Sequence, residues 1–448
     1  MDNTKLIAIV LVVVVVVGGI GAVVFLNNGS DDGGSDTDDS VWKDHKVPIF
    51  GNANNDTVID SKDVETIQKI CDGEFAAKDY PLADADHNGT VDAADIAVVN
   101  KIINDESTKV YFYDQENVVL SVNYPLKNVC PINADMTSLI IFFGGASKVA
   151  GYVCGNYPSV LAPVKDAVLL NSGRQLKDDG YTNAIQLSSD LESQGGIGAW
   201  IVDRNTALDT HYDDIVASGV PIINIRCTDP VLSNQGALLL GTLMGGEVQK
   251  NCYNYYKDCT IRVSQLNEML DSIADEDRMR FISMTMVRYI AGDESQYDSF
   301  GRTAGGISAT DLSGDGSTKL EAPEKIVTYD DKTDFFLNCA TMDLVKVPAA
   351  KYFEHKSVKY LNLSSHFDDD TMVFINMSLP LPCRVAYAAA IMYPDVVSLE
   401  FADTFLKETI DKYLPYLNEA QPDGDCDIHE DLTTFLVYSD YTAEKAAA

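Results

Sequence analysis

Residues 198–225 read GAWIVDRNTALDTHYDDIVASGVPIINI: an apolar run at Ala199 to Val202, a polar stretch with helical spacing, then Gly219 and a second apolar run from Pro221 to Ile225. Short Val- and Ile-rich runs bounded by Gly, Pro and Asp are what a strand covered on both faces requires. The pattern recurs in both directions, with further candidate strands at Val118 to Val122, Phe281 to Met286 and Val358 to Leu361, separated by amphipathic stretches. Alternation of this kind from about Val110 to Leu417 argues for an α/β architecture with helices flanking mainly parallel sheets.

Between Gly246 and Ala274 the chain runs without an internal Gly or Pro, and Val248, Tyr255, Tyr256, Ile261, Leu266 and Leu270 recur at roughly helical intervals. One long helix over about 246–274 therefore divides the α/β region into halves at about 108–245 and 275–418. Residues 419–448, acidic and then Ala-rich, read as a peripheral tail.

Upstream, two similar units follow each other about 32 residues apart within an expected module at 41–107. A calcium loop needs oxygen ligands at alternating positions, so that six or seven oxygens converge on one hard cation at about 2.3–2.6 Å. The second unit, DADHNGTVDAAD, supplies Asp84, Asp86 and Asn88 at positions one, three and five, and Gly89 for the sharp turn at six. The Thr90 carbonyl, Asp92 through a water, and Asp95 complete the set. The first unit, NANNDTVIDSKD, offers Asn52, Asn54, Asp56, the Val58 carbonyl, Asp60 and Asp63, with Thr57 where a turn glycine is usual, so the first site is expected to be the weaker. Apolar stripes follow each loop: Val64, Ile67 and Ile70, then Ile96, Val99 and Ile103. The twin units resemble the dockerin type I module, a small all-α pair of calcium loops. That likeness implies two Ca2+ ions and a cohesin-type partner, and with it an alternative role for the protein in surface assembly or adhesion.

At the N-terminus, Leu6 to Leu26 carries no charge and is long enough, at about 1.5 Å per residue, to span roughly 30 Å of hydrocarbon. Lys5 precedes it and Asp31, Asp32, Asp36, Asp38 and Asp39 follow, so the positive-inside bias places the bulk of the chain outside the cell. The run exceeds the usual h-region of a signal peptide, which favours a single transmembrane anchor at 1–26 over a cleaved leader. The Gly, Ser and Asp linker at 27–40 has nothing to bury. A net charge of −35, from 33 Lys and Arg against 68 Asp and Glu, excludes a phosphate backbone as a natural partner. The nine cysteines form no CxxC pair; Cys252 and Cys259 fall on one helical face about 10 Å apart, too far to bridge.

The α/β region has no GxSxG elbow, P-loop, HExxH or dinucleotide fingerprint, and the six histidines of the chain are scattered, so a binding protein is expected rather than an enzyme. Several segments, in order, resemble the iron-siderophore, haem and cobalamin substrate-binding proteins of ABC transporters: NYPLKNVCPINADMTSLIIFFGGASKVAGY, the segment at 198–225, ALLLGTLMG, RTAGGISA and PLPCRVAYAAAIMYPDVVS. The likeness covers about 300 residues; it lacks the usual Pro-Asp before Ala199 and carries an insert over Tyr181 to Gln194. It implies two Rossmann-like lobes joined by the long helix, an iron or cobalt chelate gripped between them, and delivery to an ABC permease and its ATPase. Loops at the carboxyl ends of strands then nominate ligand contacts: Tyr152, Tyr157, Arg204, Arg226, Tyr289 and Arg302. Arg suits anionic chelates through its bidentate fork, and Tyr suits flat ligand faces. By the same resemblance Glu192 and Glu324, one per lobe, would dock on the permease.

Overall fold

The computed structural model describes residues 46–447 apart from Arg204, Val231, Leu232, Met286 and Asp315. The apolar run at 6–26 and the linker at 27–40 lie outside the described residues, and so does the anchor read from them. Among the described residues no helix is long and apolar enough to cross a membrane.

Two loop-helix units come first. Helices α1 (Ser61–Cys71) and α2 (Ala93–Ile103) each open with a capping box: Asp60 and Asp92 accept the backbone N–H of Lys62 and Ala94, and Asp63 and Asp95 accept back from Asp60 and Asp92. The boxes satisfy amides that the first helical turn leaves free. Ile67 and Ile70 of α1 and Val99 and Ile102 of α2 are buried in the shared core.

Strands β1 (Thr108–Tyr113) and β2 (Val119–Tyr124) form an antiparallel hairpin, Thr108 opposite Tyr124 and Tyr113 opposite Val119. Its outer edge takes up the module's leading segment through an Ile49–Phe112 bridge, Phe50 N–H to the Tyr111 carbonyl (2.9 Å) and Tyr113 N–H to the Pro48 carbonyl (2.8 Å). The strand expected at Val118 to Val122 thus opens no parallel sheet. It belongs to a hairpin that fastens the paired loop-helix module to the first lobe.

That lobe runs β3 (Val129–Pro131), α3 (Ala134–Phe142), β4 (Gly151–Val153), β5 (Val168–Asn171), α4 (Asp178–Asp190), β6 (Ala199–Val202), α5 (Tyr212–Ser218), β7 (Ile222–Asn224) and α6 (Ser233–Met244). Strands β3, β6 and β7 are parallel neighbours, as are β4 and β5, and the Ala150 N–H to Val129 carbonyl bond (3.0 Å) links the two sets. The stretch expected as an insert, Tyr181 to Gln194, supplies most of α4, which buries Ala184 and Leu187.

Helix α7 (Gly246–Leu270) joins the lobes; its 25 residues span roughly 38 Å. It packs along α6 at Gly241, where a Cβ would stand 2.3 Å from that of Cys252. Replacing Gly241 with Ala is therefore expected to cost about 1–3 kcal/mol, read from the urea midpoint, because the two helices must part; an unchanged midpoint would show that they slide freely.

The second lobe runs β8 (Arg280–Thr285), β9 (Tyr289–Ala291), α8 (Gln296–Thr303), β10 (Ile307–Ser308), β11 (Ser317–Lys319), α9 (Val327–Asp330), β12 (Phe335–Ala340), α10 (Ala350–Phe353), β13 (Met372–Asn376), α11 (Leu381–Met392), α12 (Leu399–Tyr413), α13 (Pro415–Glu419), β14 (Phe435–Leu436) and α14 (Tyr438–Ala447). Parallel β8, β12 and β13 form its centre, with antiparallel β9 and β11 on one side and β14 on the other.

Two expectations are corrected here. Val358 to Leu361 is no strand: Val358–Tyr360 is a 3-10 turn with Lys359 exposed, and the strand of this region is β13, buried throughout. The described part of the expected tail at 419–448, residues 419–447, is not peripheral. Cys426, Ile428, Leu432 and Leu436 are buried, β14 pairs with β13, and Tyr441 of α14 stacks on Phe353.

Candidate functional site

The carboxyl ends of the parallel strands of both lobes point at each other, the usual place for a ligand in open α/β sheets. Asp135 stands in the first turn of α3, just after β3; Tyr157 and Arg174 lie in the loops after β4 and β5. From the second lobe come Tyr297 at the start of α8, Thr341 and Asp343 after β12, and Arg384 near the start of α11.

Arg384 is 3% exposed. Its Nη2 donates to the carbonyls of Met377 (2.5 Å) and Leu379 (3.1 Å) and lies 3.8 Å from Asp135 Oδ1, while its Nε has no hydrogen-bond partner among the described residues. Tyr157 OH reaches the same Asp135 oxygen at 3.5 Å. At the mouth, exposed Arg174 donates to Thr341 Oγ1 at 2.6 Å. Further bonds close the junction: the Ser159 N–H and hydroxyl donate to Asp343, Thr228 donates to Gln296, and Tyr416 OH donates to the Val160 carbonyl at 2.8 Å.

The cavity left inside, lined by Asp135, Cys227, Tyr255, Ser378 and Arg384 among others, is about 20 Å³. Burial pushes the Asp135 carboxyl up, against the pull of the Arg384 and Arg174 guanidinium groups. Burial likewise raises the Tyr157 phenol and the Cys227 thiol, and lifts Cys339 to about 12. The junction is thus rich in donors and holds one reluctant carboxylate between two guanidinium groups.

Of the six ligand contacts expected from the sequence, the structure brings Tyr157 into this cluster. Tyr152 is buried within β4, at 9% exposure. Arg226 turns to Glu116 in the hairpin, and its N–H meets Gln115 Oε1 at 2.6 Å. Arg302 pairs with Asp298 one helical turn back (2.7 Å), and Tyr289 lies under the Arg288 guanidinium. A nearby carboxylate captures each of the two arginines before the cleft can. Arg204 lies outside the described residues. Glu192 and Glu324 are both exposed; Glu324 opens a 3-10 turn, and Glu192 begins a single turn after α4 rather than a new helix.

The junction cluster also holds Asp135, Arg174, Tyr297 and Arg384, which the sequence reading did not nominate. A signal existed for the last: Arg384 is the one charge in the run Pro380 to Met392. A charge there has to be buried and therefore partnered.

In the module the loops share one scaffold. Asn54 N–H meets Asp63 Oδ1 (3.0 Å) as Asp86 N–H meets Asp95 Oδ1 (3.1 Å), and position four is left-handed in both, at Asn55 and His87. They differ where the sequence differs. In the second loop Gly89 is left-handed (φ +91°) and its N–H meets Asp84 Oδ2 at 2.8 Å, and Asp84, Asp86 and Asp95 each place a carboxylate oxygen within 4.8 Å of the others. In the first loop Thr57 is not left-handed, and the Asn52 amide is spent on the carbonyls of Val47 (2.8 Å) and Asp56 (2.7 Å). Burial pushes Asp60 and Asp95 up, and Asp63 to about 7.

No family model matches the chain, and no curated protein does. Solved structures share its fold. The TroA-like periplasmic binding protein FepB from Veillonella parvula superposes with a TM-score of 0.52 at 12% identity, over 73% of this chain and 99% of its own. The molybdate periplasmic binding protein MolA of a Haemophilus influenzae ABC transporter, with molybdate bound, gives 0.51 at 12% identity, over 68% and 97%. Helicobacter pylori CeuE in a nickel–histidine complex gives 0.50 at 10% identity, over 71% and 98%. At these identities the likeness is one of fold alone: a mixed α/β architecture shared with these periplasmic binding proteins.

Proposed function

We propose that this protein is the extracytoplasmic solute-binding component of an ABC importer, tethered by its N-terminal segment, which holds an anionic metal-containing ligand between its lobes and hands it unaltered to a permease and its ATPase. The observation that carries this reading is the junction itself, where Arg384, buried and with an Nε that has no hydrogen-bond partner among the described residues, stands 3.8 Å from Asp135, and Arg174 reaches from the opposite lobe to Thr341. Neighbours of the same fold have been solved with molybdate and with a nickel–histidine complex. The cargo implied by the sequence is an iron or cobalt chelate, either a siderophore, haem or cobalamin. Native mass spectrometry of the protein from its own cells, with a thermal-shift panel, tests the reading. Submicromolar binding, worth more than about 8 kcal/mol, is expected for a capture protein. A protein that carries nothing and shifts with no chelate or anion is not one.

Glu192 and Glu324 are proposed to face the permease. Changing both to Lys is expected to leave ligand affinity unchanged and to lower uptake by at least tenfold; undiminished transport removes them from that role.

Calcium is proposed for the twin loops, with the second the tighter because its glycine turn and three convergent carboxylates are in place. Asp84→Ala with Asp95→Ala in the full chain is expected to lose one ion by native mass spectrometry, and absence of any calcium-dependent heat would discard the assignment. The hairpin that builds the module into the first lobe supports a structural task for the ion over service as a free docking arm.

A further inference from the structure

We infer that the cleft selects a compact tetrahedral oxyanion, held between Arg384 of one lobe and Arg174 of the other, and that Asp135 is the internal anion it supplants. The inference rests on the solute-binding reading above and puts a smaller anion in place of the chelate that the sequence implies.

Size comes first. A cavity of about 20 Å³ holds roughly one water-sized sphere, whereas sites for drug-sized ligands or cofactors occupy about 300–1,000 Å³. A haem or siderophore would have to part the lobes along their whole seam. That seam is closed by the Ser159–Asp343, Arg174–Thr341 and Thr228–Gln296 contacts, and the linker between the lobes is a continuous helix without a hinge. A four-oxygen anion also exceeds this space, which Arg384 and Asp135 line and Arg174 does not, but it asks for a far smaller opening: Asp135 displaced from Arg384, and Arg174 turned inward from Thr341.

Charge and donors come next. Charge-assisted N–H···O contacts to a carboxylate settle at about 2.7–2.9 Å. Asp135 stands 3.8 Å from Arg384, too far to satisfy it, and the buried Nε has no acceptor among the described residues. An unpaired polar atom in that position is costly, and the oxygen of an incoming anion removes the cost. The Tyr157 hydroxyl, now on Asp135 at a long 3.5 Å, is a further donor within the same group. Burial disfavours the charged form of Asp135, so this carboxylate is poorly held and readily replaced by an anion that stays ionised. A site built for a cation would invert this arrangement.

The test is isothermal titration of the full chain in detergent with molybdate, sulfate and phosphate, beside a ferric siderophore, haem and cobalamin. At least one oxyanion is expected to bind with a Kd below 10 µM. Arg174→Gln, at an exposed position, is expected to weaken it at least tenfold, and Arg384→Lys, which keeps the charge but loses the fork, by a similar factor. Asp135→Asn is expected to tighten it several-fold, because the competing carboxylate is gone; a residue needed only to hold the lobes together would not have that effect. Chelate binding without oxyanion binding would overturn the inference and leave the solute-binding reading intact. Silence toward both sets would overturn the two together. Oxyanion binding indifferent to all three substitutions would place the anion elsewhere and overturn the inference alone.

Discussion

A chain ended at Gly424 is expected to lose its folded second lobe. The missing segment supplies Ile428, Leu432 and Leu436, each at most 8% exposed. At about 1.5–3 kcal/mol per buried aliphatic side chain their loss comes to roughly 5–9 kcal/mol, against a typical total of about 5–15 kcal/mol for a domain. Polar losses add to it. Val347 N–H donates to Thr433 Oγ1 (2.9 Å), the Asn376 amide to the Thr433 carbonyl (2.6 Å), and Ala349 N–H to Glu444 (2.8 Å). The Val347 and Ala349 amides would be left in a buried or half-buried setting without these partners, while the Asn376 amide would keep only the Asp343 carbonyl (3.0 Å). Truncation also bares the edge of β13, a ready template for pairing with another chain. Thermal melting with near-ultraviolet circular dichroism reads the outcome: loss of the cooperative second-lobe transition is expected. A truncated protein with native spectra and a Tm within a few degrees of the parent would return the segment to the status of a tail.

Tyr255→Ala is expected to cost about 3–5 kcal/mol, the range for removing a large buried aromatic. Tyr255 is 2% exposed on α7 and touches both lobes, with its ring 5.9 Å from Phe142 of α3 and 5.2 Å, edge-on, from Tyr413 of α12. It also lines the small cavity at the junction, so the same change enlarges the cleft by roughly one phenol ring. Stability and selectivity should therefore move together: a lower urea midpoint, and weaker discrimination against bulky anions. Tyr255→Phe, which keeps the ring, is the control, expected within about 1.5 kcal/mol of the parent. A Tyr255→Ala protein with an unaltered midpoint would mean that the site collapses onto itself and that the ring is no wedge between the lobes.

The fold was legible where short apolar runs sit between turn residues. Ala199–Val202 appears at the bounds its sequence suggests, and α7 begins at Gly246 and ends at Leu270, four residues short of the expected limit. Strand assignment failed at 358–361, where V-K-Y-L has strand-forming residues but no neighbour to pair with, and the fully buried M-V-F-I-N run at 372 took the place. The tail misled through composition: most of its acids are exposed, with Asp431, Asp440 and Glu444 half-buried, while the few apolar residues spaced among them carry the burial. Site residues were harder to read. Arg226 and Arg302 occupy strand-end or helix-end positions that look suitable, yet Glu116 and Asp298 neutralise them. Partners more than a hundred residues away, such as Glu116 for Arg226, leave no local trace. Arg384 was the inverse case, a charge whose apolar surroundings were themselves the signal.

The joint between module and lobe bears on how such a protein can be taken apart or recombined. Asp105, in a left-handed conformation just after α2, accepts from Tyr124 OH of the hairpin (3.2 Å), and Tyr124 also donates to the Ile102 carbonyl. The same Asp105 and Tyr124 crowd Gly245 and Gly246, where a Cβ on Gly245 would lie 2.4 Å from the Asp105 carboxylate. Three pieces of the chain, the end of the module, the hairpin and the root of the connecting helix, thus meet at one point with no slack between them. A bead on a string can be exchanged by cutting the string. Here a graft of a foreign module at residues 104–108 would have to bring its own match for Tyr124 and for two glycines some 140 positions downstream, so the loop-helix unit and the lobe have to be redesigned as a single piece.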